Sequence, residues 1–347
     1  MRYMGRYIIR RLLQAIPLLF LISIIVFVLI MNMGDPLVSF AGRNGQVKGK
    51  DRERLIRQLG LDQPLYMQYI VWLIGNDWMK IDANGDGTPD TPGERRGVLR
   101  GDLGTSVVTK QPVLKMIGDR LPNTLLLMFT AEIVIIVFAL LLGILSAVGQ
   151  YSWYDNLFTG LSFVGFSMPV PLLALGLIYI FGVYLKRAGL PYFPTVGMFE
   201  PSVGKTPEQV LWHMALPIAT LAIISIAAYS RFIRSNMLEV SSQDYMRTAR
   251  SKGLSERLIL FKHALKNAAL PIVTLIGLDL GFLLAGALVT ETIFSWPGMG
   301  RLFYDHAVKS DLPVLMGILM LISVSVVFFQ IVTDVTYTFL DPRIRYH

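Results

Sequence analysis

Residues 244–271 read DYMRTARSKGLSERLILFKHALKNAALP, a basic, amphipathic segment set between two apolar runs of bilayer length. A segment this polar has to reach something outside the lipid. Ser241 or Ser242 is placed to cap a short helix, with Asp244 near its positive end. Gly253 supplies a left-handed stop, and Ser255 caps a second helix predicted to run to Asn267. The predicted shape is helix, glycine elbow, helix: a docking knob held at a membrane face.

The flanking sequence is that of a membrane protein. Of 347 residues, 53% are hydrophobic and 16% charged, and the mean hydropathy of +0.54 is too high for an ordinary soluble domain. Six spans are predicted, over residues 12–31, 121–148, 158–185, 210–232, 268–293 and 314–340. Each has to be a helix, because lipid offers no partner to an open backbone. Arg2, Arg6, Arg10 and Arg11 precede the first span, and Arg247, Arg250, Lys252, Arg257, Lys262 and Lys266 crowd the loop after the fourth. Both termini and the knob are therefore expected in the cytoplasm. The expected organisation is an N-terminus and first span (1–31), an extracytoplasmic segment (32–120) and a core of five spans (121–347) that carries the knob at 233–267. The first span lacks a small-residue cleavage site before Gly34-Asp35-Pro36 and is read as a retained helix.

Several chemistries are excluded. A net charge of +8 would suit nucleic acid, but the basic residues gather at membrane ends and in the knob, where an anionic inner leaflet accounts for them. No nucleic-acid partner is expected. There is no cysteine, and His213, His263, His306 and His347 show no ligand spacing. No GxxxxGK[ST] phosphate loop is present, so any ATP is hydrolysed by other chains. An aspartyl dyad of Asp279 and Asp334 lacks the glycine that should stand before the acid. An ion-driven secondary transporter would not need the basic knob, and no inverted repeat is evident.

Residues 247–254 (RTARSKGL) and 263–268 (HALKNA) resemble the cytoplasmic loop of the inner-membrane permease subunits of binding-protein-dependent ABC importers, in their peptide and nickel branch. Arg247 and Thr248 stand where the broad pattern has Glu-Ala, and Lys266 where it has a later proline. Residues 7–13 (YIIRRLL), 16–17 (IP), 34–36 (GDP), 101–106 (GDLGTS), 120–125 (RLPNTL), 291–298 (ETIFSWPG) and 341–343 (DPR) are similar to the B-type subunit of dipeptide and oligopeptide importers. The resemblance spans nearly the whole chain. It implies an all-α integral membrane protein with six transmembrane helices of the type I ABC importer permease kind, in a bacterial or archaeal plasma (inner) membrane. It also implies a second, paralogous permease, two ATP-binding subunits and an extracytoplasmic substrate-binding protein as partners, beside membrane lipid. The cargo it implies is a dipeptide or oligopeptide, with nickel chelates or another small solute as the alternative. Tyr245, Arg247, Thr248, Ala249, Arg250, Lys252, Gly253 and Leu254 would couple the chain to the ATPases. No catalytic residue is expected.

Two regions invite functional readings of their own. In the extracytoplasmic segment, residues 65–74 are amphipathic and carry Tyr66, Tyr69, Ile70 and Trp72, suited either to the membrane interface or to packing on the other helices. Residues 82–90 (DANGDGTPD) then offer oxygens on Asp82, Asn84, Asp86, Thr88 and Asp90, with Gly87 at the turn, as in the first part of a calcium loop. Gly93 occupies the place of the closing glutamate, and a solvated Asp-Gly turn is the other reading. At membrane depth, Glu132, Asp279 and Asp334 are costly in lipid and should face protein or water. Each either meets the substrate or anchors a neighbouring helix. Gly277 and Gly281 permit close packing. Glu291 and Trp296 are candidates for the outer end of the path, where residues 295–301 form a tight turn.

Overall fold

The computed structural model describes the chain except residues 1, 34–36, 38–48, 83, 85, 269, 283–284 and 341–347. Helix α1 (Arg2–Asn32) is followed by two short helices, α2 (Lys50–Gln58) and α3 (Leu65–Ile74), and by a hairpin of β1 (Lys80–Ile81) against β2 (Thr91–Pro92). Then come α4 (Val113–Val148), α5 (Trp153–Ser167), α6 (Val170–Leu177), a wide-turned stretch (Ile178–Tyr184) and α7 (Leu185–Arg187). Among the described residues, five helical stretches are long and apolar enough to cross a bilayer: Ile8–Asn32, Val113–Val148, Val170–Arg187, Pro207–Ser241 and Leu312–Thr336. The last two belong to α8 (Pro207–Ser241) and α15 (Leu312–Leu340).

Two predicted spans are broken. The third was expected over 158–185, but α5 stops at Ser167 and a new helix starts at Val170. Met168 lies before Pro169 and is extended (φ −81°, ψ 125°), the conformation the proline ring imposes on its predecessor. The fifth, expected over 268–293, divides into α12 (Leu270–Phe282) and α13 (Leu288–Ile293). Gly286 stands between them at φ +69°, which ends helical hydrogen bonding there. Among the described residues, α12 carries a shorter apolar stretch, Ile272–Phe282.

Small residues set the helix spacing. A Cβ on Gly143 of α4 would lie 2.7 Å from the Ile233 side chain of α8. Gly277 and Gly281 press α12 onto α15: a Cβ at Gly277 would meet Thr333 Oγ1 at 1.9 Å, and one at Gly281 would meet Val326 Cα at 3.3 Å. Arg11 of α1 pairs with Asp334 of α15 at 3.0 Å, so Asp334 serves as a helix anchor. Outside the bundle, Trp72 of α3 is buried against Phe27 of α1 and Leu312, Leu315 and Met316 of α15. Tyr69 Oη and Ser23 Oγ lie 2.7 Å apart. Of the two roles open to α3, the structure gives it the packing one.

Candidate functional site

The elbow begins where α8 runs past the apolar zone. Helix α9 (Asp244–Ser251) follows it, then α10 (Glu256–Leu258), a second wide-turned stretch (Ile259–Ala264) and α11 (Leu265–Ala268). The expected serine cap is not formed. Helix α8 continues through Ser241, Ser242 closes it with Oγ on the Glu239 carbonyl at 2.7 Å, and Gln243 precedes α9 without a side-chain cap. Gly253 is left-handed at φ +73°, with its amide on the Arg250 carbonyl at 2.9 Å. No atom lies within 4 Å of a Cβ built there, so backbone conformation alone asks for glycine. Ser255 caps the next turn by accepting from the Leu258 amide at 3.4 Å.

Burial divides the elbow into two faces. Met246, Ala249, Ile259 and Ala264 are buried in one cluster with Ala139 of α4 and with Ile233 and Met237 of α8. Tyr245, Arg247, Thr248, Arg250 and Lys252 are exposed, and Leu254 is half-buried. Arg250 Nε reaches Glu256 Oε1 across the glycine at 3.1 Å, but both side chains are exposed and such a pair contributes ~0–1 kcal/mol. Burial of Met246 contributes more, about 1.5–3 kcal/mol, so apolar packing fixes the elbow to α4 and α8. The side chains of Arg257, Lys262 and Lys266 lie outside the described residues.

At membrane depth, Tyr229 of α8 and Asp279 of α12 meet, and Glu132 of α4 stands near enough to act on both electrostatically. The Tyr229 hydroxyl donates to Asp279 Oδ2, which ties α12 to α8. Glu132 is buried, and its Oε1 has no hydrogen-bond partner. Asp279, by contrast, is exposed on the surface of this single chain.

Glu291 and Trp296 are enclosed instead. Glu291 is fully buried at the start of α13, where Oε1 accepts from Thr124 Oγ1 at 2.9 Å and Oε2 from the Arg301 amide at 3.1 Å. A Cβ on Gly298 would lie 2.4 Å from Glu291 Oε2. Trp296 is also fully buried, and its Nε1 donates to the Asn123 carbonyl at 3.0 Å while Asn123 Nδ2 donates to the Pro297 carbonyl at 2.9 Å. Both residues brace the turn before α14 (Met299–Ala307) against the first half of α4. Their polar atoms are spent within the chain, whereas Glu132 keeps an unpartnered oxygen and Asp279 is exposed.

Comparison with known proteins bears on these features together. Residues 139–346 match the family described as the binding-protein-dependent transport system inner membrane component, and residues 4–128 match the N-terminal membrane component of such systems. The chain belongs to this family. It is a multi-pass inner-membrane protein with the type I permease fold. Over 345 residues it is 39% identical to the oligopeptide transport system permease protein AppB of Bacillus subtilis (strain 168), covering 99% of this chain and 100% of that one. It is 37% identical to the glutathione transport system permease protein GsiC of Escherichia coli (strain K12), with the same coverage. A crystal structure of an amino acid ABC transporter with histidines aligns at a TM-score of 0.44 and 17% identity, covering 64% of this chain and 93% of that one.

Two constellations of this permease escaped the sequence reading. Arg234 of α8 forks onto Asp155 of α5, Nε to Oδ1 and Nη2 to Oδ2, both at 2.8 Å. That guanidinium holds the Asp155 carboxyl below its usual range. The pair locks α5 to α8 one turn of helix before Met237, which packs in the cluster that buries the elbow. Asp311 is fully buried before α15 and accepts from Ser106 Oγ (2.5 Å), the Val107 and Val108 amides (3.1 and 3.3 Å) and His306 Nδ1 (2.9 Å). The serine donates to the carboxylate, not to the imidazole, so this trio clasps the segment before α4 to α15 and holds no activated nucleophile. The helix-start pattern Ser310-Asp311-Leu312-Pro313 was the available signal for Asp311.

The acidic loop lies at the tip of the β1–β2 hairpin. Asp82 accepts from the Asp86 and Gly87 amides at 3.0 and 2.7 Å, and Asp86 accepts from the Thr88 amide and hydroxyl at 2.8 and 2.5 Å. Arg57 of α2 lies 3.7 Å from Asp82, and Arg54 donates to the Asn84 carbonyl at 2.7 Å. Asp90 Oδ1 accepts from Thr91 Oγ1 at 3.0 Å. Among the described residues, no group of three or more His, Cys, Asp or Glu is arranged to hold a metal. With its turn already closed by amides and an arginine, the loop is expected to be digested by a protease at the same rate in calcium and in chelator. Protection by calcium that disappears in a variant carrying Asp82→Ala and Asp86→Ala would restore the calcium reading.

Proposed function

We propose that this chain is one of two paralogous permeases of an ATP-driven importer that carries dipeptides or oligopeptides. Its partners are two ATP-binding subunits on the cytoplasmic side and a substrate-binding protein outside, and both of its termini are cytoplasmic. The observation that carries this reading is the two-faced elbow, fixed to the bundle by Met246, Ala249 and Ile259 while it presents Tyr245, Arg247, Arg250 and Lys252 outward. Closure of the ATPases on that face would tilt α8 and α4 as rigid bodies. The oligopeptide and glutathione transport named for its relatives supports a peptide cargo.

The test is purification of the chain in mild detergent, followed by reconstitution. A second permease and two ATP-binding chains should accompany it, and ATP hydrolysis should rise when peptide-loaded binding protein is added. Recovery without any ATPase chain would overturn the importer reading in favour of an ion-driven carrier. Stimulation by nickel chelates and not by peptides would keep the importer and replace its cargo.

A further inference from the structure

The Glu132, Tyr229 and Asp279 cluster has no evident use as a helix anchor beyond the single bond from Tyr229 to Asp279. Glu132 adds nothing to that bond, since its enclosed Oε1 has no partner. Two acids near one another at membrane depth are costly. Yet the charged group that acts on Glu132 is Asp279, the group that acts on Asp279 is the Tyr229 phenol, and no Lys, Arg or His of the described residues is among these groups. The site is thus acidic and short of a cation. Asp279 is exposed on a face where lipid is not a tolerable neighbour, with Leu278 and Phe282 beside it also exposed. That face has to meet the second permease or the water-filled route between the two.

We propose that Glu132, Tyr229 and Asp279 form a binding station for a primary ammonium group of the cargo as it passes. This rests on the importer reading given above. An ammonium has three donors and no acceptor. The station offers three acceptors: Asp279 Oδ1, the unpartnered Glu132 Oε1 and the lone pairs of a Tyr229 hydroxyl whose proton is engaged by Asp279. Asp279 is the exposed mouth, and Glu132 is the enclosed wall reached as the helices tilt. A hard divalent cation is a poorer fit, because it needs six or more oxygens.

The experiment uses the complete transporter in proteoliposomes, with trialanine as the probe. Glu132→Gln and Asp279→Asn keep shape and remove charge, and each should lower trialanine uptake about tenfold, the worth of one charge-assisted hydrogen bond. Assembly and melting temperature should stay at parental values, and Glu132→Asp should recover most of the uptake. Unchanged uptake in Glu132→Gln or Asp279→Asn would overturn the proposal. So would a loss of uptake that follows a loss of permease pairing, which would mean that a basic side chain of the second permease occupies the site. Failure of the parent to accumulate trialanine would count against the peptide reading itself.

Discussion

Valine at position 253 is expected to abolish peptide-stimulated ATP hydrolysis while the membrane helices stay folded. Gly253 is held at φ +73°, where an L-residue costs roughly 1–2 kcal/mol and a β-branched one more. Because no atom lies within 4 Å of the added Cβ, the whole cost is in the backbone, and it is relieved by rotating the elbow. Met246, Ala249 and Ile259 resist movement of the buried face, so the exposed tip turns instead. A misplacement of about 1 Å at a coupling contact can cost around a hundredfold in rate. Gly253→Asn should retain most activity, because asparagine tolerates the left-handed region. The measurement is ATP hydrolysis with and without peptide-loaded binding protein, with a thermal melt as the folding control. Full stimulation in the valine variant would remove this elbow from the coupling path.

What could be read in the sequence was local. Helices α1, α4, α8 and α15 follow from uninterrupted apolar runs, and Gly253 and Ser255 act where their own chemistry places them. Errors came where tertiary packing or a proline overrode an apolar run. Met168 before Pro169 split one predicted span, and Gly286 split another. At the elbow, α8 runs through Ser241 and is closed by Ser242, so neither serine expected to cap α9 does so. The pairings that define the site are long-range and leave no periodic trace. Tyr229 and Asp279 are 50 residues apart, Asp155 and Arg234 79, Thr124 and Glu291 167. The bracing of Glu291 and Trp296 was equally hidden, because Thr124 and Asn123, which bond their polar atoms, belong to a distant helix.

Asp311→Ala is expected to cause the largest loss of stability. The carboxylate satisfies the Ser106 hydroxyl, two backbone amides and His306, and alanine would leave these donors buried without a partner. Each stranded group costs about 1–3 kcal/mol, and since such losses do not add, a total of roughly 3–5 kcal/mol is expected. Asp311→Asn should fall between, because one of its two acceptor atoms becomes a donor facing other donors. The same clasp predicts a pH dependence. Burial pushes the Asp311 carboxyl up, but the bonds from His306, Ser106, Val107 and Val108 outweigh it and hold the group below its usual value of 3.8. A depressed acid contributes stability above its unfolded value and loses it as pH falls through the folded one. The melting temperature should therefore be insensitive to this group down to pH 3.8 and drop only below it. Asp311→Ala should melt lower at every pH and lack that acidic limb, and its segment before α4 should be cut faster by protease. A variant that melts with the parent at neutral pH would show that the clasp does not hold the segment before α4 to α15.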